Sequence, residues 1–210
     1  MYLPAHFRED RPDVLDAFLV AHPLGLLVTV QNGLPTIDPV PMRLEVDPSG
    51  QRRLRGHVAR ANPAANAVVA DTPVLVIFGG ANHYLSPAWY ASKQVDGKVV
   101  PTWNYSIVEA RGRLRWFHDA AELLTLVGQL TTTYESPRAE PWAVSDAPSD
   151  YIDGMLRAIV GFEIVIDSML GKFKASQNRH AVDRAGASAG LAADGVDAAA
   201  VAELVRAPRG

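Results

Sequence analysis

The sequence contains no cysteine. Disulfides, thiolate metal sites and a cysteine nucleophile are thereby excluded. No charge sign dominates either: 20 Lys and Arg face 23 Asp and Glu, a formal net charge of −3. Such a balance creates no general attraction to nucleic acid or to an anionic membrane. No apolar run approaches the ~20 residues needed to span a bilayer. The opening MYLPAHFREDRPD is charged and lacks an apolar signal core. A cytoplasmic protein with no membrane partner is therefore expected. The common catalytic signatures are missing too. There is no GxSxG elbow, HExxH pair, Walker loop or GxGxxG turn. The six histidines (6, 22, 57, 83, 118 and 180) show no ligand spacing. No metal site and no catalytic residue is assigned.

What remains is a globular composition, 48% hydrophobic and 20% charged over 210 residues. That is enough chain for one large or two small domains with a real core. Asp10-Arg11-Pro12-Asp13 marks a helix start, with Leu15, Phe18 and Leu19 as its apolar stripe and His22-Pro23 as its stop. Strands are predicted over 26–30 and 35–46 around the hairpin signal Asn32-Gly33, then over 54–58, 74–78, 109–117 and 162–166. Val99 and Val100 also have strand character, interrupted by Pro101, which cannot donate to a ladder. Helices are predicted over 119–134, over 151–158 and, at the periphery, over 197–206. The fold class is mainly β with helices (α+β), mostly antiparallel, with no βαβ rhythm. The expected organisation is one domain over 1–180 and a C-terminal helical extension over 181–210 packed on it. Alternate arginines (53 and 55; 111, 113 and 115) form a solvated sheet face.

Three stretches hold the candidate chemistry. In GHVARANP, Arg60 precedes a helix start with Asn62 as cap and Pro63 after it. Such a start suits an anion, and Arg60 could clamp a phosphate; equally, Arg60 could be a surface residue and Asn62 a simple cap. His57 is either a hydrogen-bonded structural group or a cofactor contact. In YLSPAWYASK, Ser86-Pro87 again spells a cap, and one helical turn would place Trp89 and Lys93 on one face with Tyr90 beside them. The following VVPTWNY carries Thr102, Trp103, Asn104 and Tyr105. If that backbone is extended, Thr102 and Asn104 face one way and Trp103 and Tyr105 the other. Aromatics in such polar company suit a flat, partly polar ligand better than a plain core. The third stretch, KFKASQNR, is a donor-dense run after a strand: either a solvated loop, or donors that could reach phosphate or ring carbonyls, also from a neighbouring subunit.

Taken in order, MYLPAHFRED, HPLGLLVT, GHVARANP, YLSPAWYASK, VVPTWNY and KASQNR resemble the PaiB family of FMN-binding negative transcriptional regulators, from Met1 to about Leu191. The resemblance implies an FMN-binding split β-barrel like that of pyridoxamine 5'-phosphate oxidases. It also implies a homodimer with the flavin site at the subunit interface, and a role as a repressor. It places Arg60 and Asn62 near the flavin phosphate. Ser86, Trp89, Tyr90, Lys93, Thr102, Trp103, Asn104 and Tyr105 fall on the family's characteristic segments, and Gln177, Asn178 and Arg179 on its SQNR. Two positions depart from the pattern: no proline follows Gly80, and Ala175 stands where leucine is expected. Two rival readings are a flavin-dependent oxidoreductase with a nicotinamide donor and a haem-binding split barrel using His57 or His83. DNA is a possible partner, but no basic recognition helix is seen.

Overall fold

The computed structural model describes residues 1–206, which form two compact units. Among these residues there are eight strands: β1 (Arg8–Glu9), β2 (Leu24–Gln31), β3 (Leu34–Pro41), β4 (Arg43–Val46), β5 (Arg52–Ala59), β6 (Thr72–Leu85), β7 (Thr102–Phe117) and β8 (Ile159–Lys174). The helices are α1 (Pro12–Ala21), α2 (Ala64–Ala67), α3 (Ala120–Glu135), α4 (Ser149–Arg157), α5 (Ala181–Ala193) and α6 (Val196–Arg206). The strand order is β3-β2-β6-β7-β8-β5-β4, with β1 added to β8. The pairs β2–β3, β4–β5, β5–β8 and β1–β8 are antiparallel.

One unit comprises Leu19–Ile77 and Ala110–Met169. Its curvature follows from connectivity. β3 and β4 stand at opposite ends of the strand order, yet only Met42 separates them. The sheet must therefore curl until its edges meet, which makes it a barrel. Met42 is buried at the junction and its N–H donates to Pro23 O at 2.8 Å. At Gly56 of β5 a Cβ would come within 2.9 Å of Pro41 O, so glycine permits the closing approach of two backbones. The expected single strand over 35–46 is thus two strands. Pro35, Pro39 and Pro41 have no N–H to offer, which suits an edge strand and not a central one. The β2–β3 hairpin turns through Asn32 and Gly33, both at positive φ, as its Asn-Gly signal predicts.

Helix α3 starts where Asp119 accepts from Glu122 N at 2.8 Å. Its Leu123 and Leu126 join Phe117 and Leu156 in a buried cluster, with Val127 and Leu130 packed against it. Each fully buried leucine contributes roughly 1.5–3 kcal/mol.

The other unit comprises Met1–Phe18, Phe78–Glu109 and the chain from Leu170 onward. Its core joins Leu85, Tyr90 and Ala175 to Ala187 and Leu191 of α5 and to Ala198, Val201, Ala202 and Val205 of α6. The helix expected at the periphery over 197–206 is therefore a core element. Alanines let α5 and α6 approach closely, and Ser188 Oγ bonds Ala202 O at 3.0 Å. The last four residues of the 181–210 extension lie outside the described residues. Val99 and Val100 are not strand. Val99 N closes a turn to Gly97 O, and β7 begins only after Pro101.

Candidate functional site

Strand β7 presents two different faces in the first-named part of its run. Asn104, Ser106 and Val108 are buried, while Trp103 is 50% exposed and Tyr105 half-buried. The alternation expected from an extended backbone is present for Trp103, Asn104 and Tyr105, while Thr102, at the strand end, is half-buried and bonded to Lys174. On the inner side Asn104, fully buried, donates from Nδ2 to Ser176 Oγ at 3.0 Å. Ser176 holds a φ of 61°, a left-handed conformation rare for serine, so this bond fixes an otherwise unfavourable turn. On the outer side Trp103 Nε1 donates to Asn82 Oδ1 at 3.2 Å, and its ring meets Tyr84 edge-on at 6.3 Å.

Two lysines of β8 flank these aromatics. Lys172 and Lys174 alternate with buried Phe173 and so point the same way. The Lys172 ammonium lies 5.5 Å from the Tyr105 ring centre and donates to Tyr2 O at 3.1 Å. Lys174 Nζ donates to Thr102 Oγ1 at 2.5 Å. Burial pushes the Lys174 pKa down, Tyr105 opposes that shift, and the charge of Lys172 adds to it. The sequence places these lysines in the donor-dense run KFKASQNR but, within it, points only to Gln177, Asn178 and Arg179 as site residues. Their alternate spacing next to a stretch of donors was the available signal.

The Ser86–Gln94 segment does not form the single helical turn expected of it. Ser86 caps a 3₁₀ turn over Pro87–Trp89, its Oγ accepting from Ala88 N at 3.2 Å. Tyr90 is then extended, and a second 3₁₀ turn spans Ala91–Gln94. The extended residue breaks the face that Trp89 and Lys93 would have shared. Trp89 packs on α5, where a Cβ on Gly190 would lie 2.3 Å from its indole. Tyr90 is core, with the Arg179 guanidinium 5.0 Å from its ring centre and its own hydroxyl buried without a partner among the described residues. Lys93 is exposed. Of the SQNR run, Gln177 shapes the turn, accepting from Ala175 N at 2.8 Å and donating to Phe173 O, while Asn178 is exposed.

His57, Arg60 and Asn62 belong to the barrel unit. The Arg60 guanidinium donates to Arg157 O at 2.6 Å and to Ile159 O at 2.9 Å, so it ties the end of α4 to the start of β8. Asn62 Oδ1 accepts from Ala64 N at 2.8 Å, and its Nδ2 donates to Asp38 at 2.7 Å. Asn62 therefore bonds the first N–H of the helix, but the N-cap position itself falls one residue later, at Pro63, and the helix is a single turn. Burial lowers the pKa of His57, whose Nδ1 has no hydrogen-bond partner among the described residues.

Within the unit of Met1–Phe18, Phe78–Glu109 and the chain from Leu170 onward, then, exposed aromatic rings, two cations and several hydrogen-bonding groups share one open sheet face. A flat ring system can lie on such rings, and lysine ammoniums can meet an anionic substituent. A flavin mononucleotide has both parts, so these residues fit it. Among the described residues no cluster of His, Asp and Glu could hold a metal ion, and no helix is long and apolar enough to cross a membrane.

Comparison with known proteins agrees with this chemistry. Residues 1–168 match the family described as "Putative FMN-binding domain". An uncharacterized protein of Emericella nidulans is 34% identical, with 98% of this chain and 96% of its own length covered. The protease synthase and sporulation protein PAI 2 of Bacillus subtilis is 29% identical over 87% of this chain and 85% of its own. In structure, the flavocytochrome Anf3 from Azotobacter vinelandii matches with a TM-score of 0.57 at 17% identity, over 80% of this chain and 69% of Anf3. The FAD and heme binding protein from Mycobacterium smegmatis matches with a TM-score of 0.56 at 16% identity, over 90% of this chain and 81% of that one. The structural likenesses show the shared split-barrel fold. With the family profile spanning residues 1–168 and PAI 2 related over most of its length, the chain belongs to the FMN-binding domain family that includes PaiB.

Proposed function

We propose that the chain is an FMN-binding regulator of the PaiB kind, working as a homodimer whose flavin lies on the open face of β7 and β8. The observation that carries this reading is the juxtaposition of half-exposed Trp103 with Tyr84, Tyr105, Lys172 and Lys174 on one sheet surface. Trp103, Tyr84 and Tyr105 would supply the wall for the ring system. Lys172 and Lys174 would supply positive charge for the phosphate or the electron-rich ring edge. Asn104 acts from beneath, holding the Ser176 turn from which the SQNR segment departs. FMN, when bound, supplies reversible redox chemistry. A second copy of the chain would cover the exposed rings, as the PaiB resemblance implies. Arg60 and Asn62, which the PaiB resemblance places near the flavin phosphate, lie in the barrel unit.

The regulator reading favours a ligand-dependent or indirect action over a broad DNA-binding surface. On the barrel, Arg53 lies 2.7 Å from Asp47, Arg55 2.5 Å from Glu122 and Arg115 3.4 Å from Glu163. Paired arginines leave little unbalanced charge for phosphate backbones.

The visible spectrum of the purified protein tests the reading. Flavin bands, retained on desalting, support it; a Soret band would favour haem. Nicotinamide oxidation accelerated by the FMN-loaded protein would move the function to an oxidoreductase. A gel shift with no sequence-preferring DNA binding would confine regulation to an indirect route.

A further inference from the structure

The barrel unit carries a cavity that the flavin reading leaves unused. It lies between α3, the 3₁₀ turn Val144–Asp146 and the start of α4, with a volume of about 670 Å3. Small-molecule sites occupy about 300–1,000 Å3. Leu124 and Gly128 of α3 line one side, Trp142 the loop side, and Ile152 and Asp153 the α4 side. Leu124 is 43% exposed and Trp142 46%, so two large apolar side chains stand open to solvent around one concavity.

The cavity is held in shape by its own bonds. Glu135 accepts from Trp142 N at 3.1 Å and pairs with Arg138 at 3.1 Å. Asp146 accepts from Ala143 N at 2.8 Å. A site already fixed in this way needs little ordering when a ligand enters. Its α3 wall is bare backbone at Gly128, where a Cβ would meet nothing within 4 Å. Asp153 is the one charged group lining the cavity, and it has no ion pair among the described residues.

We propose that this cavity is a second ligand site, taking an aromatic ring that carries an amine cation. The ring lies against Leu124, Trp142 and Ile152, and the ammonium meets Asp153. An apolar wall with a single unpaired carboxylate discriminates by charge: the amine gains an ion pair, whereas an aromatic acid of the same size meets repulsion.

Calorimetric titration of the full chain with tryptamine and with indole-3-acetate tests this. Saturable tryptamine binding, stronger than that of the acid, is expected. Gly128→Phe fills open space, so it abolishes tryptamine binding without lowering the melting temperature or weakening FMN binding. Asp153→Asn weakens tryptamine about fivefold, the scale of a solvent-exposed ion pair, and removes the preference over the acid. Two results overturn the proposal: no saturable binding of either tryptamine or 2-phenylethylamine by the folded protein, or tryptamine binding unaltered in Gly128→Phe. FMN is titrated separately, so failure here leaves the flavin reading standing.

Discussion

Lys174 on β8 donates to Thr102 Oγ1 at the start of β7, 2.5 Å away. The bond holds a cationic head at the start of β7, one residue before the half-exposed Trp103, with Lys172 as a second cation two residues earlier on β8. Desolvation lowers the Lys174 pKa, with Lys172 acting in the same direction and Tyr105 against it.

Lys174→Met should therefore weaken FMN binding about tenfold, or ~1.4 kcal/mol. The wild-type affinity should also fall on the alkaline side before an ordinary lysine would lose its charge. The ammonium is present below its depressed pKa and disappears above it, so the anion loses its partner as pH rises. Titrations at several pH values on wild type and variant check both statements.

Asp183 should make the unit that holds α5 and α6 acid-sensitive. It is 3% exposed and accepts from Ser92 N at 2.9 Å and from Ser92 Oγ at 2.8 Å. The Ser92 backbone bond is the main cause holding its pKa down, against burial, with the Ser92 hydroxyl, Arg179 and His180 assisting. A carboxyl depressed in the folded state stabilises above its unfolded value of 3.8 and loses that contribution as pH falls through the folded value. Asp183→Asn should cost about 1.5–3 kcal/mol at neutral pH and flatten the acid dependence. Urea unfolding at neutral and acidic pH measures it.

Two glycines should respond in opposite directions. Gly190→Ala places a Cβ 2.3 Å from the Trp89 indole and should destabilise by about 1–3 kcal/mol. Gly128→Ala meets open space within α3 and should stabilise by about 0.5–1 kcal/mol, through the lost backbone freedom of glycine. Thermal melts of the two variants separate the cases.

His57 should titrate below its ordinary 6.5, because burial disfavours the imidazolium. The unfolded chain takes up the proton first, so stability is full above about 6.5 and declines as pH falls toward the folded value. The imidazole resonance of His57, assigned by His57→Gln, reports the titration directly. A normal or raised value would show that its unpartnered Nδ1 meets solvent or a carboxylate.

Much of this fold was legible because its signals are local. Asn32-Gly33 specifies a hairpin turn, Asp119 a helix start, and the leucines of α3 a buried stripe; each needs only neighbouring residues. The alternation of Trp103 and Tyr105 against Asn104 was legible for the same reason, since an extended backbone has period two. What sequence reading missed depends on partners distant in the chain. The split at Met42 follows from β3 and β4 occupying opposite sheet edges. Trp89 is held by glycines about a hundred residues later, which no local pattern announces. The alanines of α6 form core only because α5 packs against them. Lys172 and Lys174 join the candidate face through β7, a neighbour in space and not in sequence.

The central claim is that the outer face of β7 and β8 binds FMN, and equilibrium titration of flavin fluorescence tests it most directly. Wild type should quench added FMN saturably, while folded Trp103→Leu, which removes the half-exposed ring, should bind about tenfold more weakly. No saturable quenching by the folded wild type, or equal affinity in Trp103→Leu, would contradict it.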